Sequence, residues 1–170
     1  MGCEGSMPHL LHSEDKELDM ITRLLPDQIA KFWPVIKYAV EQSLPPTVGD
    51  HPDRLNRILS GMLSGKLDVW ASYRHLEDGT TKFDGIGVTQ ILYDDASNTK
   101  SMLIYAIYAY EKTTPETWAE AYETVGKYAV AQGCNRYVAY SSIPYVVEQA
   151  KLFGGDTSFT FISFPLPKFV

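Results

Sequence analysis

Residues 100–155 alternate two apolar strands with two helices, and this order constrains the fold more than any other part of the chain. The run SMLIYAIYAY predicts a strand at 101–110, and NRYVAYSSI predicts another at 136–140. Apolar residues at helical spacing predict a helix over 113–133 between them, and Pro144 opens a further helix. A helix that joins two strands in this way is typical of a crossover between parallel strands. We therefore expect the two strands to run parallel and to diverge where the first leads into its helix.

The chain before residue 100 predicts helices and antiparallel strands. Strands are expected at 20–25, 67–75 and 82–95, and helices over 27–44 and 50–65. Pro34 removes a backbone donor inside the first of these helices, which predicts a break or a kink of more than about 20°. Asp50 and Pro52 are typical of the cap and first turn of the second. At the other end of the chain, the alternating run TSFTFISFPL predicts a last strand at 157–166.

Composition excludes several classes of function. The 170 residues carry a net charge of −6, which disfavours nonspecific binding to nucleic acid. No apolar run approaches the roughly 20 residues that span a bilayer. Cys3 and Cys134 are too few and too far apart for a disulfide framework, which favours a cytoplasmic protein, and the four histidines show no spacing typical of a metal site. We expect a polar extension at 1–18 followed by one domain at 19–170.

The order of elements from Met20 onward resembles that of the GNAT acetyltransferase superfamily. The stretch from Lys127 to Gly155, KYAVAQGCNRYVAYSSIPYVVEQAKLFGG, is similar to the third helix, glycine–cysteine turn, fifth strand and fourth helix of that family. The resemblance implies an α/β (α+β) fold, with a mixed, mostly antiparallel sheet of about six strands flanked by four helices. It also implies acetyl-CoA as the cofactor of any active member.

The segment that would hold the cofactor departs from the family pattern. Family members bind the pyrophosphate in a glycine-containing loop at the start of the third helix, where backbone N–H groups and the helix dipole attract phosphate. The corresponding segment, Glu111 to Trp118, contains no glycine and includes Pro115 and a second carboxylate, Glu116. A carboxylate about 5 Å from a phosphate costs roughly 3 kcal/mol at an effective dielectric near 20. We therefore expect acetyl-CoA to bind no tighter than about millimolar, and no cofactor if the protein is not an enzyme.

The resemblance also suggests which residues would act if the protein is active. Asp84 and Glu111 would be the candidate general bases. The cofactor contacts would come from Lys112, Thr113, Thr114 and Thr117. The family's frequent general acid, a tyrosine four residues before the closing glycine of the fourth helix, is replaced by Ala150 or Lys151. No residue is assigned to a metal.

Several residues allow both a functional and a structural interpretation. Three strand tyrosines could line a substrate cleft, but aromatic residues on a covered strand more often belong to the core: Tyr105, Tyr108 and Tyr110. Cys134 is expected to pack. Thr113 with Glu116, or Thr114 with Pro115, could cap the 113–133 helix. Ser141 or Ser142 is expected to cap the helix that follows.

Three hypotheses for function follow. The first is a degenerate GNAT-like protein that acts as a non-catalytic binding or assembly module for a protein partner. It would be similar to degenerate bacterial and bacteriophage members, and a virion-associated role is one form of this hypothesis. The second is an active N-acyltransferase that moves an acetyl group from acetyl-CoA to an amine. The third is a lipid-anchored protein, because Met1 to Ser6 fits the N-myristoylation pattern. A homo-oligomer is compatible with each of them.

Overall fold

The computed structural model describes residues 20–168, in which five strands form one sheet and five helices flank it. The polar extension and the lipidation motif predicted at the N-terminus lie outside the described residues. The elements in chain order are β1 Met20–Arg23, α1 Pro26–Lys31, α2 Trp33–Ser43, α3 Arg54–Leu63, β2 Asp68–His75, β3 Thr81–Asp94, β4 Thr99–Ala109, α4 Pro115–Ala131, β5 Cys134–Ala139 and α5 Pro144–Leu152.

The strands lie in the order β1-β2-β3-β4-β5. The pairs β1–β2, β2–β3 and β3–β4 are antiparallel, and the pair β4–β5 is parallel. This confirms the parallel pair predicted from residues 100–155. Within residues 20–168 the last paired residues of β4 and β5 are Ile104 and Ala139, although β4 continues to Ala109. The two strands therefore part before the chain enters α4, as predicted.

A β-bulge lies in β4 at the point where β5 departs. Val88 of β3 pairs with Ala106, whereas the next residue, Thr89, pairs with Ile104. Tyr105 is thus the extra residue on β4. A bulge bends its strand and increases the local twist, so β4 turns away from β5 at this residue.

The two faces of the sheet are covered by different helices. The larger core cluster joins α1, α2 and α3 to one face and includes Ile36, Val40, Val69 and Val88, which are almost completely buried. Trp70 follows Val69 along β2 and therefore points to the other face. There it packs with Met102 and with the α4 residues Val125 and Ala129.

The first predicted helix is broken, as Pro34 indicated. Helix α1 ends at Lys31, Phe32 is not helical, and α2 begins at Trp33 with Pro34 in its first turn. The break raises the number of helices from the expected four to five. The predicted start of the next helix was wrong by one turn. Asp53 rather than Asp50 is the N-cap residue of α3, and Asp50 instead pairs with Arg54 at 3.1 Å.

The strand predicted at 157–166 is absent from the described residues, which reduces the sheet from about six strands to five. The segment has no regular secondary structure, and its apolar side chains are exposed, up to 84% for Phe159 and Leu166. Alternation alone predicts a strand, but a strand also requires a hydrogen-bonded neighbour. As a result, β5 is an edge strand within residues 20–168.

The cap predicted for the last helix was also wrong. Ile143 occupies the N-cap position of α5 and makes no side-chain capping bond. Ser141 lies two residues before the N-cap position, and its Oγ accepts the Ile143 N–H at 3.2 Å. The serine therefore shapes the turn that leads into the helix and does not cap the helix itself.

Candidate functional site

A small cavity lined mostly by polar residues lies at the end of β2 and the start of β3, beside the connection from β4 to α4. It has a volume of about 130 Å³ and is lined by Ser72, Arg74, Asp84, Gly85, Glu111, Lys112, Thr113 and Thr117. Sheet register brings these segments together. Ser72 pairs with Gly85, Gly85 pairs with Ala109, and the Tyr110 N–H donates to the Asp84 carbonyl at 2.9 Å.

Five of the six residues proposed from the sequence line this cavity. Asp84, Glu111, Lys112, Thr113 and Thr117 are among them, and Thr114 is not. Thr114 instead caps α4. The structure thus places the candidate bases and most of the candidate cofactor contacts at one location, whereas the sequence placed them in two separate segments.

Asp84 is the most enclosed acid of the cavity. Its side chain is 13% exposed, and its Oδ1 accepts a hydrogen bond from the Arg74 guanidinium at 3.0 Å. Among residues 20–168, its Oδ2 and the buried Ser72 Oγ have no hydrogen-bond partner. One carboxylate oxygen and one hydroxyl are therefore available to a small donor that enters the cavity.

Glu111 is paired with a cation that sequence reasoning missed. The Lys82 ammonium lies 2.8 Å from its carboxylate. The hydrogen bond from Lys82, with the charge of that lysine, lowers the pKa of Glu111 below its ordinary value. The charge of Glu111 is thus compensated by Lys82. The pair also makes Glu111 a weaker base.

Strand alternation offers a signal for the missed residues. Ser72 and Arg74 are two apart on β2, so they lie on the same face of the sheet. Lys82 lies near the start of β3, and the hairpin at 77–79 places this end of β3 beside the end of β2. A correct prediction of the hairpin register would therefore have placed Arg74 and Lys82 near the two acids.

The N-terminus of α4 is held by its own side chains. Thr114 is the N-cap residue, and its Oγ accepts the Thr117 N–H at 3.2 Å. This confirms the plain cap rather than the capping box of Thr113 and Glu116. The Thr113 hydroxyl accepts the indole N–H of Trp118 at 2.9 Å, and Pro115 has no N–H to donate.

The cleft between β4 and β5 is the second feature of the site. Beyond the Ile104–Ala139 pair, the β4 edge that faces β5 has no strand partner among the described residues. Tyr105, at the bulge, is half-buried, and burial raises its pKa. The bulge at Tyr105 and the end of the β4–β5 pairing at Ile104 thus lie side by side on β4.

The other strand tyrosines belong to the packing between β4 and α2. The Tyr110 hydroxyl donates to the Val35 carbonyl at 2.6 Å. The ring of Tyr38 lies 5.6 Å from that of Tyr108 and 6.2 Å from that of Tyr110. These contacts favour the core interpretation of the two tyrosines.

The remaining candidates have structural surroundings. Cys134 is buried against the cluster around Trp70 and Met102, and burial raises the pKa of its thiol, which is a poor setting for a nucleophile. At the position of the missing acid, Lys151 pairs with Glu148 at 3.0 Å. Tyr145 is 46% exposed, and its ring lies 6.1 Å from that of Trp118.

Within residues 20–168 no group of three or more histidine, cysteine or acidic side chains is arranged to hold a metal ion. In the same part of the chain, no helix is both long enough and apolar enough to cross a membrane.

Comparison with known proteins gives matches in structure and none in sequence. No protein-family model matches the chain, and no curated protein sequence matches it. Among solved structures, an aminoglycoside acetyltransferase from an uncultured soil metagenomic sample, in complex with sisomicin, is similar over 87% of this chain and 96% of its own, with a TM-score of 0.62 and 15% identity.

Two other acetyltransferase-type structures have comparable similarity. AAC(6')-Iy, in complex with the bisubstrate analog CoA-S-monomethyl-acetylneamine, matches 88% of this chain and 98% of its own, with a TM-score of 0.60 and 16% identity. Glucosamine-6-phosphate N-acetyltransferase from Arabidopsis thaliana matches 85% and 97%, with a TM-score of 0.57 and 14% identity. With the parallel β4–β5 pair and the α4 crossover, these matches show that the chain has a GNAT-like fold.

Proposed function

We propose that this protein is a GNAT-fold protein that does not use acetyl-CoA in the ordinary way and serves as a non-catalytic binding module for a protein partner. The observation that carries the proposal is the N-terminus of α4, where Thr114 accepts the Thr117 N–H and Pro115 has none. An assembly role, for example in a virion, is one form of this function.

Phosphate binding at a helix N-terminus depends on unsatisfied backbone donors. In α4 the first helical residue, Pro115, lacks a donor, and the donor of the third, Thr117, is used by the cap. The carboxylate of Glu116 lies in the same turn. A pyrophosphate would therefore have to displace the Thr114 cap, which is worth about 1 kcal/mol.

The charges around the cavity change the electrostatic free-energy cost expected for placing a phosphate there. Lys82 compensates Glu111, and the carboxylate of Glu116 lies in the first turn of α4. One such carboxylate at about 5 Å costs roughly 3 kcal/mol. Together with the lost donors, this supports binding of acetyl-CoA no tighter than about millimolar.

Calorimetric titration of the full chain with acetyl-CoA tests the proposal. We expect no binding at micromolar concentrations from the unmodified protein. A variant that combines Pro115→Gly with Glu116→Gln restores a backbone donor and removes the charge, and it should bind at least tenfold more tightly. Glu120→Gln, one turn further along α4, removes an equal charge away from the helix start and serves as the matched control.

Micromolar binding by the unmodified chain would overturn the proposal. It would make the second candidate the leading one, which is an N-acyltransferase that uses acetyl-CoA. The specific observation in favour of that candidate is the β4 bulge at Tyr105 beside the gap between β4 and β5.

In the second candidate, an acyl-CoA would insert between β4 and β5, and β4 backbone N–H groups would polarise the thioester carbonyl. Asp84 suits the role of base better than Glu111, because its Oδ2 is without a partner among the described residues. Release of CoA thiol from acetyl-CoA, measured with a panel of primary amines, tests this candidate. Asp84→Asn should abolish such a release, and Glu111→Gln should reduce it less.

A further inference from the structure

The cavity beside the β4–α4 connection contains two buried polar atoms without a partner. Ser72 is only 7% exposed, and its Oγ forms no hydrogen bond within residues 20–168. The Oδ2 of Asp84 is in the same position, although the Oδ1 is held by Arg74. Buried polar atoms of folded proteins are almost always hydrogen-bonded, because no bulk water is there to pair with them. These two atoms therefore indicate a ligand that supplies hydrogen-bond donors at the β2–β3 side of the cavity.

The charges around the cavity favour an uncharged ligand. The carboxylates of Asp84 and Glu111 are each paired with a cation, at 3.0 Å and 2.8 Å, and Lys112 adds a third cation to the lining. A ligand ammonium would therefore enter where cations already outnumber carboxylates. A ligand carboxylate would lie beside the Asp84 Oδ2, which carries negative charge and can only accept hydrogen bonds. Both ionic classes are disfavoured.

The α4 side of the cavity offers hydrogen-bond donors. Lys112 carries an ammonium, and Thr113 and Thr117 carry hydroxyls. The Thr113 oxygen accepts the Trp118 indole N–H, so its own O–H remains able to donate. The cavity thus accepts hydrogen bonds at the β2–β3 side and donates them at the α4 side. A primary carboxamide has the complementary polarity, since its NH2 group has two donors and its carbonyl accepts.

The volume and the exposure of the lining fit a single side chain of another protein. The cavity of about 130 Å³ is close in size to cavities of about 150 Å³ that hold a benzene molecule. A carboxamide with one or two methylene groups has fewer heavy atoms than benzene. Ser72 and the Asp84 side chain are mostly buried, whereas Glu111 and Lys112 are exposed. The cavity therefore opens at the connection between β4 and α4, and an inserted side chain would enter with its amide group first.

We propose that the cavity binds a primary carboxamide, which a protein partner presents as the side chain of a glutamine or an asparagine. The NH2 group donates to Asp84 Oδ2 and Ser72 Oγ, and the carbonyl accepts from the side chain of Lys112 or Thr117. The inference rests on the proposed function of a partner-binding module, and it names the chemical group that the partner inserts.

Titration of the full chain with acetamide, followed by heteronuclear NMR of the backbone amides, tests this chemistry. We expect saturable shifts around the cavity with a Kd of roughly 1–10 mM, as suits so small a molecule. N,N-Dimethylacetamide lacks N–H donors, whereas acetate and methylammonium are charged, and each should bind at least tenfold more weakly. Absence of saturable shifts with acetamide would overturn the proposal. So would binding of any of the three other compounds as tightly as acetamide.

Two substitutions locate the binding. Ser72→Ala should weaken the binding of acetamide about fivefold, because one neutral hydrogen bond is lost. Asp84→Asn should weaken it at least tenfold, because the accepting oxygen loses its charge. Ser60→Ala, on the exposed surface of α3, removes a hydroxyl away from the cavity and is the matched control. Because Ser72 Oγ has no partner to lose within residues 20–168, Ser72→Ala should retain the spectrum of the folded chain. Unchanged binding of acetamide by this variant would contradict the proposal.

Blocked peptides distinguish a protein side chain from a free amide. A tripeptide with glutamine or asparagine between two glycines, acetylated at one end and N-methylamidated at the other, has its only primary carboxamide in the side chain. At least one of these two peptides should bind as tightly as acetamide or more tightly, and the glutamate peptide should bind at least tenfold more weakly. Binding of acetamide without binding of either peptide would overturn the assignment to a protein partner.

The amide titration and the acetyl-CoA titration can fail independently. Micromolar binding of acetyl-CoA would overturn the function on which this inference rests. Absence of amide binding in a chain that also fails to bind acetyl-CoA would overturn the inference alone.

Discussion

The half of the molecule formed by β1–β4 with α1–α3 is packed differently from the part that begins with α4. In the first, Ile36, Val40 and Val69 are completely buried. In the second, α5 has no buried residue, and most of the large exposed hydrophobic residues of the described chain lie at or after Tyr122. Both parts are rich in apolar residues. The comparison teaches that composition supplies core-forming residues, but a second layer must be present for them to form a core.

The same contrast applies to aromatic residues. Tyr110 in the first part reaches the Val35 carbonyl across the interface between sheet and helix. In the second part, Tyr122 and Phe153 stack with ring centroids 4.6 Å apart, yet Tyr122 is 45% exposed. The outer side of the aromatic cluster in the second part is thus exposed.

The largest expected effect of a substitution lies in the well-packed part. Ile36→Ala should lower the free energy of unfolding by about 3 kcal/mol, because it removes three buried carbon atoms and leaves a cavity. Urea denaturation followed by circular dichroism measures the change. A loss below about 1 kcal/mol would show that the first part is as loosely packed as the second.

A smaller effect is expected at the boundary between the two parts. The Trp70 indole N–H donates to Thr89 Oγ1 at 3.0 Å in a buried site beneath α4. Thr89→Val keeps the volume but leaves this donor without a partner, so it should cost about 1–2 kcal/mol. The same denaturation assay measures it, and Thr81→Val, at a partly exposed position at the start of β3, is the control. Equal stabilities of the two variants would contradict the prediction.

Titration of Tyr137 probes the packing of β5 against α4. Burial raises the pKa of this tyrosine to about 12, with smaller contributions from Tyr122 and Cys134. Because the unfolded group ionises near pH 10, its contribution to stability is complete below pH 10 and is lost as the pH rises to about 12. We expect a loss of about 1 kcal/mol, since the half-buried site is partly screened by solvent.

Absorbance of tyrosinate during an alkaline titration measures this effect. Tyr137→Phe should remove one group that ionises near pH 12 and leave the titration of the exposed tyrosines unchanged. Loss of a group that ionises near pH 10 instead would show that solvent reaches the β5–α4 contact freely.

The smallest effect is expected in the loosely packed part. Leu152→Ala, at a side chain that is 77% exposed, should change the free energy of unfolding by less than about 0.5 kcal/mol. Urea denaturation followed by circular dichroism, as for Ile36→Ala, measures the change. A loss of 2 kcal/mol or more would contradict the difference in packing between the two parts, because a loss of that size requires Leu152 to be buried.

Much of the fold followed from local patterns in the sequence. Pro34 predicted the break between α1 and α2, and the strands predicted at 67–75 and 82–95 form the antiparallel pair of β2 and β3. The order of elements in residues 100–155 predicted the parallel pair. These features depend on residues close in sequence, so their physical causes can be identified without the rest of the chain.

The candidate site could be predicted only in part. Asp84, Glu111, Lys112, Thr113 and Thr117 were identified as residue types that can bind or transfer protons, and the structure places them around one cavity. Their partners Arg74 and Lys82 come from other strands, and the pairs depend on strand register. Register is a long-range property, and a shift of one residue would turn each side chain to the other face.

The sequence by itself determined the order of the elements from β1 to α5, the break at Pro34 and the absence of glycine from the segment 111–118. Only the tertiary structure decided that Glu111 is neutralised by Lys82, that Tyr105 is a bulge and that residues 157–166 have no strand partner in the described chain. The physical reason is the same in each case. Propensity and capping act over a few neighbouring residues, whereas ion pairs, bulges and strand pairing require atoms that distant parts of the chain bring together.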